Sequence, residues 1–365
     1  MRSIFKNIFI LINIPVAVCL LFSYTAVYIN PAFFWIPAFF GLAYPYILLA
    51  NILFVLFWFL FNAKYSLISI LAILLGINFM GSYVQFGGEK TSKEGLEICS
   101  YNVKYFVGDK VLPNKEATEK IVNFLEAGDF GIICLQEANI SNRGIVNLND
   151  IKNRLGKDIH MQLAHASRAG GLVTYTKFPM VNIGEIRYEN SGNMVIFADL
   201  LIRKDTFRVY NCHLQSYRLK PHELSTLDSL KFSNNPKNYN GVKNVGSKLK
   251  QAFIKRAEQA VLLEKHIAQS PYPVIVCGDF NDTPVSYSYH KVRGNLKDAF
   301  VESGQGIGNT YNGRLPSFRI DYILHDPVFE SYEFEVGREK FSDHFPIHCK
   351  LILKPGTLPN SPKKH

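Results

Sequence analysis

Apolar and polar positions follow two regimes along the chain. Up to residue 88 the apolar residues form long, nearly unbroken runs, at 8–29, within 31–61 and at 65–86. In the second of these, the later part from about residue 39 is the best helix. Each run supplies the roughly 20 residues that a helix needs to cross ~30 Å of hydrocarbon. A cleaved signal peptide explains only the first, which is too long for a signal-peptide core. Beyond residue 96 the pattern changes to short apolar stretches punctuated by glycine and polar residues. Strands are expected at 96–103, 130–137, 170–176, 194–201, 207–214, 274–277, 319–324 and 348–353. Helical spacing replaces alternation at 114–126, where Ile121, Val122, Phe124 and Leu125 share a face, and again at 250–269. A short helix fits 151–155. Strands outnumber helices, so a β-sandwich flanked by helices fits better than a purely parallel sheet.

Charge sharpens the division. The formal net charge is +10, yet residues 1–88 contain no Asp or Glu and only Arg2, Lys6 and Lys64 as fixed charges. The remainder is therefore basic as well, which favours anionic partners such as nucleic acid, anionic lipid or phosphate esters. The organisation expected is a three-helix transmembrane segment (1–88), a polar linker (89–95), a catalytic domain (96–354) and a polar tail (355–365). The positive-inside rule puts Arg2, Lys6 and Lys64 in the cytoplasm. Three crossings then carry the domain outside a bacterial-type cytoplasmic membrane. The six cysteines lie in apolar runs and are expected as buried free thiols. That sits awkwardly with an oxidising exterior.

Several strands end on polar groups. Val274 to Cys277 runs into Gly278-Asp279-Phe280-Asn281; on extended backbone Asp279 and Asn281 point to one side. Other apolar strands end at Asn102, Glu137 and His213, and polar groups recur at Asp321 and Asp343-His344. An isolated Asx-turn explains one such end. Six suggest a common cleft.

The ordered set Ser100-Tyr101-Asn102-Val103, Leu135-Gln136-Glu137, Cys212-His213-Leu214-Gln215-Ser216, Gly278-Asp279-Phe280-Asn281, Arg319-Ile320-Asp321-Tyr322-Ile323 and Ser342-Asp343-His344-Phe345-Pro346 resembles the endonuclease/exonuclease/phosphatase (DNase I-like) superfamily. The resemblance implies an α+β fold, a four-layer αββα sandwich, and a metal-dependent phosphoric ester hydrolase using Mg²⁺ or Mn²⁺. It implies Glu137 as the main metal ligand, with Asn102 and Asp343 nearby. It also implies Asp279 orienting or deprotonating water, Asn281 stabilising the pentacovalent phosphorus, His213 on a phosphate oxygen, and Asp321 holding the His344 imidazole. Lys104 stands where some nucleases of the family carry an acidic residue, so no metal contact is expected there. Arg319 has two readings, a phosphate contact or a support for Asp321.

The expected function is a membrane-anchored phosphodiesterase of nuclease type. The alternatives are a phospholipid-headgroup or inositol-phosphate phosphatase or phospholipase, and a catalytically silent binding module. Partners are a phosphate-ester substrate, nucleic acid or phospholipid, and the bilayer itself; no protein partner is inferable. Residues 217–250 are rich in lysine and asparagine and poor in apolar residues. An exposed loop that holds an anionic substrate is expected there.

Overall fold

The computed structural model describes residues 2–108, 114–139, 147–166, 170–217, 219, 223, 236–313 and 318–356. The chain opens with helices α1 (Arg2–Tyr24), α2 (Ile36–Phe61), α3 (Ser66–Leu75) and α4 (Ile77–Met80). There follow β1 (Val84–Gln85), β2 (Leu96–Asn102), α5 (Lys115–Ala127), β3 (Ile132–Asn139), α6 (Leu148–Leu155), β4 (His160–His165), β5 (Gly170–Thr176), β6 (Met180–Arg187), β7 (Met194–Ile202) and β8 (Asp205–His213). The last part holds α7 (Pro236–Ala268), β9 (Val274–Asp279), α8 (Tyr287–Arg293), β10 (Lys297–Asp298), α9 (Ala299–Ser303), β11 (Gly306–Ile307), β12 (Asp321–His325), β13 (Phe329–Val336) and β14 (Ile347–Leu353).

Two six-stranded sheets carry the α+β sandwich. Their orders are β13-β14-β2-β3-β5-β4 and β10-β12-β9-β8-β7-β6. Each sheet is antiparallel except for one central pair, β2 with β3 and β8 with β9. A parallel pair needs a crossover connection. Helix α5 supplies the first and α7 the second.

Alternation of side-chain direction along each strand builds the layers. On β9, Ile275 and Cys277 join the core between the sheets, whereas Val274 and Val276 pack under α7 with Ala260 and Leu263. On β2, Ile98 faces the other sheet and Cys99 and Tyr101 face α5 with Ile121 and Leu125. Both faces of the central strands are thus covered, which is why they read as unbroken apolar runs. All six cysteines are free thiols, and five of them are buried.

Helices α1, α2 and α3 pack side by side. α1 and α2 are long and apolar enough to cross a membrane; the third apolar run is not one such helix. It breaks at Gly76, between α3 and α4. A Cβ on Gly76 would fall 2.0 Å from the Tyr24 ring, and the Tyr24 hydroxyl donates to Ala72 O at 2.9 Å. Close packing against Tyr24 therefore ends α3 after 10 residues, about 15 Å of rise. This corrects the expectation of three span-length helices.

Residues 217–250 also differ from expectation. From Pro236 onward the chain is helical, as the first part of α7, rather than loop. Val245 is buried, and Lys248 pairs with Glu223 at 2.7 Å. Val242, Lys243, Asn244 and Ser247 are exposed, as expected, so the correction concerns the secondary structure and not the exposure. Most of the preceding stretch, with Lys231, lies outside the described residues.

Candidate active site

The phase of each strand decides what reaches the cleft. Asp279 continues the face of Ile275 and Cys277 on β9, so it projects toward the opposite sheet at the strand end. Asn102 is in phase with Ile98 on β2, His213 with Val209 on β8, and Asp321 with Ile323 on β12. Register brings these ends level. Asp279 lies opposite both His213 and Asp321 in the sheet. Glu137 has the wrong phase, since Cys134 and Gln136 occupy the inter-sheet face. A bulge between Leu135 and Ala138 corrects this, with Glu137 at φ 50°. Gly278 permits the close approach of β8 and β9. Its φ is +141°, and a Cβ there would meet Cys212 O at 2.0 Å.

Asp279 is the centre of the cluster and is buried. Its Oδ1 accepts from Asn281 N at 2.7 Å. Its Oδ2 accepts from Asn102 Nδ2 and Asn281 Nδ2, both at 3.0 Å. His213 Nε2 and His344 Nε2 each stand 3.8 Å from Oδ2. Asn281 sits at φ 54°, a conformation its short polar side chain tolerates, and also donates to Leu214 O at 3.1 Å. On the far side of His344, Nδ1 lies 3.0 Å from Asp321 Oδ2 and 3.1 Å from Oδ1. The Tyr311 ring stands edge-on to the imidazole, centroids 5.3 Å apart.

Glu137 Oε1 is 3.5 Å from His213 Nε2. Asp343 pairs with Lys104 at 2.9 Å, and Lys104 N donates to Asn102 Oδ1 at 3.1 Å. Glu137, Asp279, Asn281, Asp343 and His344 line one cleft of about 190 Å³, walled by Tyr217, Tyr311 and Phe318. All eight residues singled out in the sequence are therefore neighbours. Arg319 is not in the cleft; it is buried against Asp298.

The electrostatics separate the groups. Burial pushes the Asp279 carboxyl up to about 6, against the pull of the His344 charge. Burial also works against a charge on His344, but Asp321 and Asp279 outweigh it and push the imidazole up to about 10. Burial raises the Glu137 carboxyl, with the His344 charge opposing. The donors fit a hard divalent cation. Glu137 offers an anionic oxygen with no Lys or Arg pairing it among the described residues, and Asn102 Oδ1 and Asp343 add neutral and anionic oxygen. A second grouping, Asp279, Asp321 and His344, has ligand atoms within 4.8 Å of one another. There, however, the carboxylates already hold the imidazole and the two amides.

Sequence reasoning missed a polar layer beneath the site. Gln136 Nε2 donates to Asn211 Oδ1 at 2.8 Å and to Ser100 Oγ at 3.3 Å, and Asn211 donates to Val173 O at 3.0 Å. These buried amides lock β3, β5 and β8 together just below the strand ends that carry the cluster. Asn211 was visible in principle, being in phase with His213. Tyr311 was also missed and carries no local signal.

The model for the Endonuclease/Exonuclease/phosphatase family matches residues 99–344, and the chain belongs to that family. A model described as a domain of unknown function matches residues 6–83. A search of curated proteins finds no match. Solved structures share the fold at low identity. The human Nocturnin catalytic domain with bound sulfate anion is 17% identical, with a TM-score of 0.52 over 71% of this chain and 95% of that one. An endonuclease/exonuclease/phosphatase from Bacteroides vulgatus is 17% identical, with a TM-score of 0.53 over 72% and 100%. One from Beutenbergia cavernae is also 17% identical, with a TM-score of 0.52 over 72% of each chain.

Proposed function

We propose that the chain is a membrane-anchored, divalent-metal-dependent phosphoesterase whose reaction centres on Asp279 and His344. The observation that carries this reading is the buried Asp279 carboxylate. It is held by three N–H donors and flanked by two imidazoles, one of them fixed by a second carboxylate. Three donors fill three of its roughly four acceptor sites, leaving one for a water molecule. That water's oxygen forms a bond to phosphorus and passes its proton to Asp279. The P–O bond to the leaving group breaks, and the leaving oxygen takes a proton from His344 Nε2. Asp321 keeps His344 in the tautomer with Nδ1 protonated and favours its charged form. His213 lies beside the same carboxylate and holds a phosphate oxygen, while Asn281, whose two Nδ2 hydrogens go to Asp279 and Leu214 O, positions Asp279. Glu137, Asn102 and Asp343 would hold a Mg²⁺ or Mn²⁺ ion, which when bound neutralises phosphate charge and polarises the P–O bond.

The membrane reading rests on α1 and α2. Lys6 and Lys64 both lie at the Tyr65 ring, at one end of the helical bundle. Tyr28 and Trp35 mark the other end, against the catalytic domain. Helices α3 and α4 lead back from Tyr65 to Tyr83, which favours three passes with the last one broken. The positive-inside rule then puts the Lys6 and Lys64 end in the cytoplasm and the catalytic domain on the opposite side.

The direct test uses the full chain in detergent against phosphodiesters and phosphomonoesters, with Mg²⁺ and then with EDTA. EDTA should abolish turnover. Asp279→Asn and His344→Ala should each lower kcat by about 10³-fold or more while leaving the fold intact. Turnover that survives both substitutions contradicts the proposal.

A further inference from the structure

Three walls of the cleft are fastened to the end of the helical bundle. The first is the loop beyond Asn281. It runs through Asp282 and Thr283 to Val285, which packs in the bundle's own apolar cluster with Tyr44 and Tyr83. α2 is so close here that a Cβ on Gly41 would lie 2.2 Å from Val285 O. The second wall is the segment before Tyr311. Gly308 N donates to Tyr83 O at 3.0 Å, and Ile307 pairs with Val84. The third is Tyr217, whose ring packs on Phe253; Phe253 in turn packs on Phe39 of α2 at 5.1 Å.

The same end of the bundle has the marks of a membrane–water boundary. Phe33 is 92% exposed and Phe86 87%. Lys250 lies 4.8 Å above the Trp35 ring, and Tyr28 meets His290. Exposed aromatic rings beside basic groups collect at the headgroup level. Asn281 and Val285 are four residues apart in sequence, at most about 14 Å of extended chain. The interfacial layer of one leaflet is itself about 5–7 Å deep. The reacting centre is thus tethered within about 14 Å of the end of the bundle.

We infer that the phosphoester this site hydrolyses is carried on a lipid of the bilayer that holds the helices. The inference rests on the phosphoesterase reading above and names its substrate class. The chemistry is the same hydrolysis: water oxygen bonds to the lipid phosphorus, one P–O ester bond breaks, and the leaving oxygen is protonated by His344. The anchor confines enzyme and substrate to one surface. Such confinement raises their effective concentration by about 10²–10⁴-fold without any new contact.

The test reconstitutes the full chain in phosphatidylcholine vesicles containing, in turn, phosphatidylethanolamine, phosphatidylglycerol or phosphatidic acid. Parallel arms supply the deacylated counterparts glycerophosphocholine, glycerophosphoethanolamine, glycerophosphoglycerol and glycerol 3-phosphate. Short DNA and RNA oligonucleotides and the activated diester bis(4-nitrophenyl) phosphate complete the panel, and ³¹P NMR reads the products. At least one of the four lipids, phosphatidylcholine included, should turn over about 100-fold faster than its deacylated counterpart and than either oligonucleotide. The double variant Phe33→Asp, Phe86→Asp should lower lipid turnover about tenfold and leave the activated diester unchanged, because neither ring lines the cleft. If the activated diester is cleaved but no lipid outpaces its deacylated form or the oligonucleotides, the lipid inference is overturned and the phosphoesterase reading stands. If nothing is cleaved, the activated diester included, both fall.

Discussion

The pairing of Asp321 with His344 makes a prediction for a single side chain. Asp279 acts as a base only when ionised, and its carboxyl is pushed up to about 6. Activity should therefore rise as pH increases through about 6. His344 donates a proton only when charged, and its imidazole is pushed up to about 10. Activity should fall as pH increases through about 10, giving a bell with a broad top. Asp321→Asn removes the charge that outweighs burial at His344. The alkaline limb should then move down by several pH units, and kcat should drop about 10²–10⁴-fold. A pH–rate profile of this variant with an unmoved alkaline limb would show that Asp321 does not govern His344. The residue scale is also where the sequence was most informative. Asn102, His213, Asp279 and Asp321 could be placed because strand alternation alone aims them at one face. Glu137 could be named but not aimed, since the bulge that turns it is a property of the β3 and β5 pairing.

Among the elements, the contact between α2 and the catalytic loop is the least forgiving. Gly41 leaves no room for a methyl group, which would also lie 2.7 Å from Ala26 Cβ. Gly41→Ala should cost about 1–3 kcal/mol by overpacking. That corresponds to a fall in Tm of roughly 1–4 °C for a chain of this size. Because Val285 continues the loop that carries Asn281, kcat should fall as well. Thermal unfolding in detergent, together with turnover of a soluble diester, checks both. An unchanged Tm would mean that the helix and the loop are not packed as described. Arg319 makes a second link, between the end of the helical segment at Ser82 and the sheet at Asp298. It is buried, paired with Asp298, and donates to Ser82 O at 3.0 Å just before Asp321. Arg319→Met should strand Asp298 and cost about 3–5 kcal/mol. Loss of the cooperative unfolding transition, or of expression, is the expected readout; a Tm within 2 °C of wild type would remove Arg319 from this role. None of these links was legible in the sequence. Each joins residues far apart in the chain, and neither a glycine in an apolar run nor an arginine before a strand announces its partner. The same holds for the break at Gly76, which packs against Tyr24.

At the scale of the whole molecule, the helical bundle and the sandwich form one piece. Residues 1–88 cover Thr283, Val285 and Phe253, so a fragment beginning at Glu89 would expose an apolar face next to its catalytic loop. Such a fragment should aggregate or lose most of its activity, as gel filtration and diester turnover would show; a monodisperse fragment with full kcat would separate the two parts functionally. What the sequence did convey at this scale was the change of regime near residue 88 and the ordered motifs of one family. The central step, however, is water attacking phosphorus beside Asp279. Hydrolysis of a phosphodiester by the full chain in H₂¹⁸O, read by mass spectrometry of both products, addresses that step directly. One ¹⁸O atom per turnover is expected in the phosphate-bearing product, none in the released alcohol, and no labelled product from Asp279→Asn. Label in the alcohol, or undiminished phosphate labelling by Asp279→Asn, would contradict it.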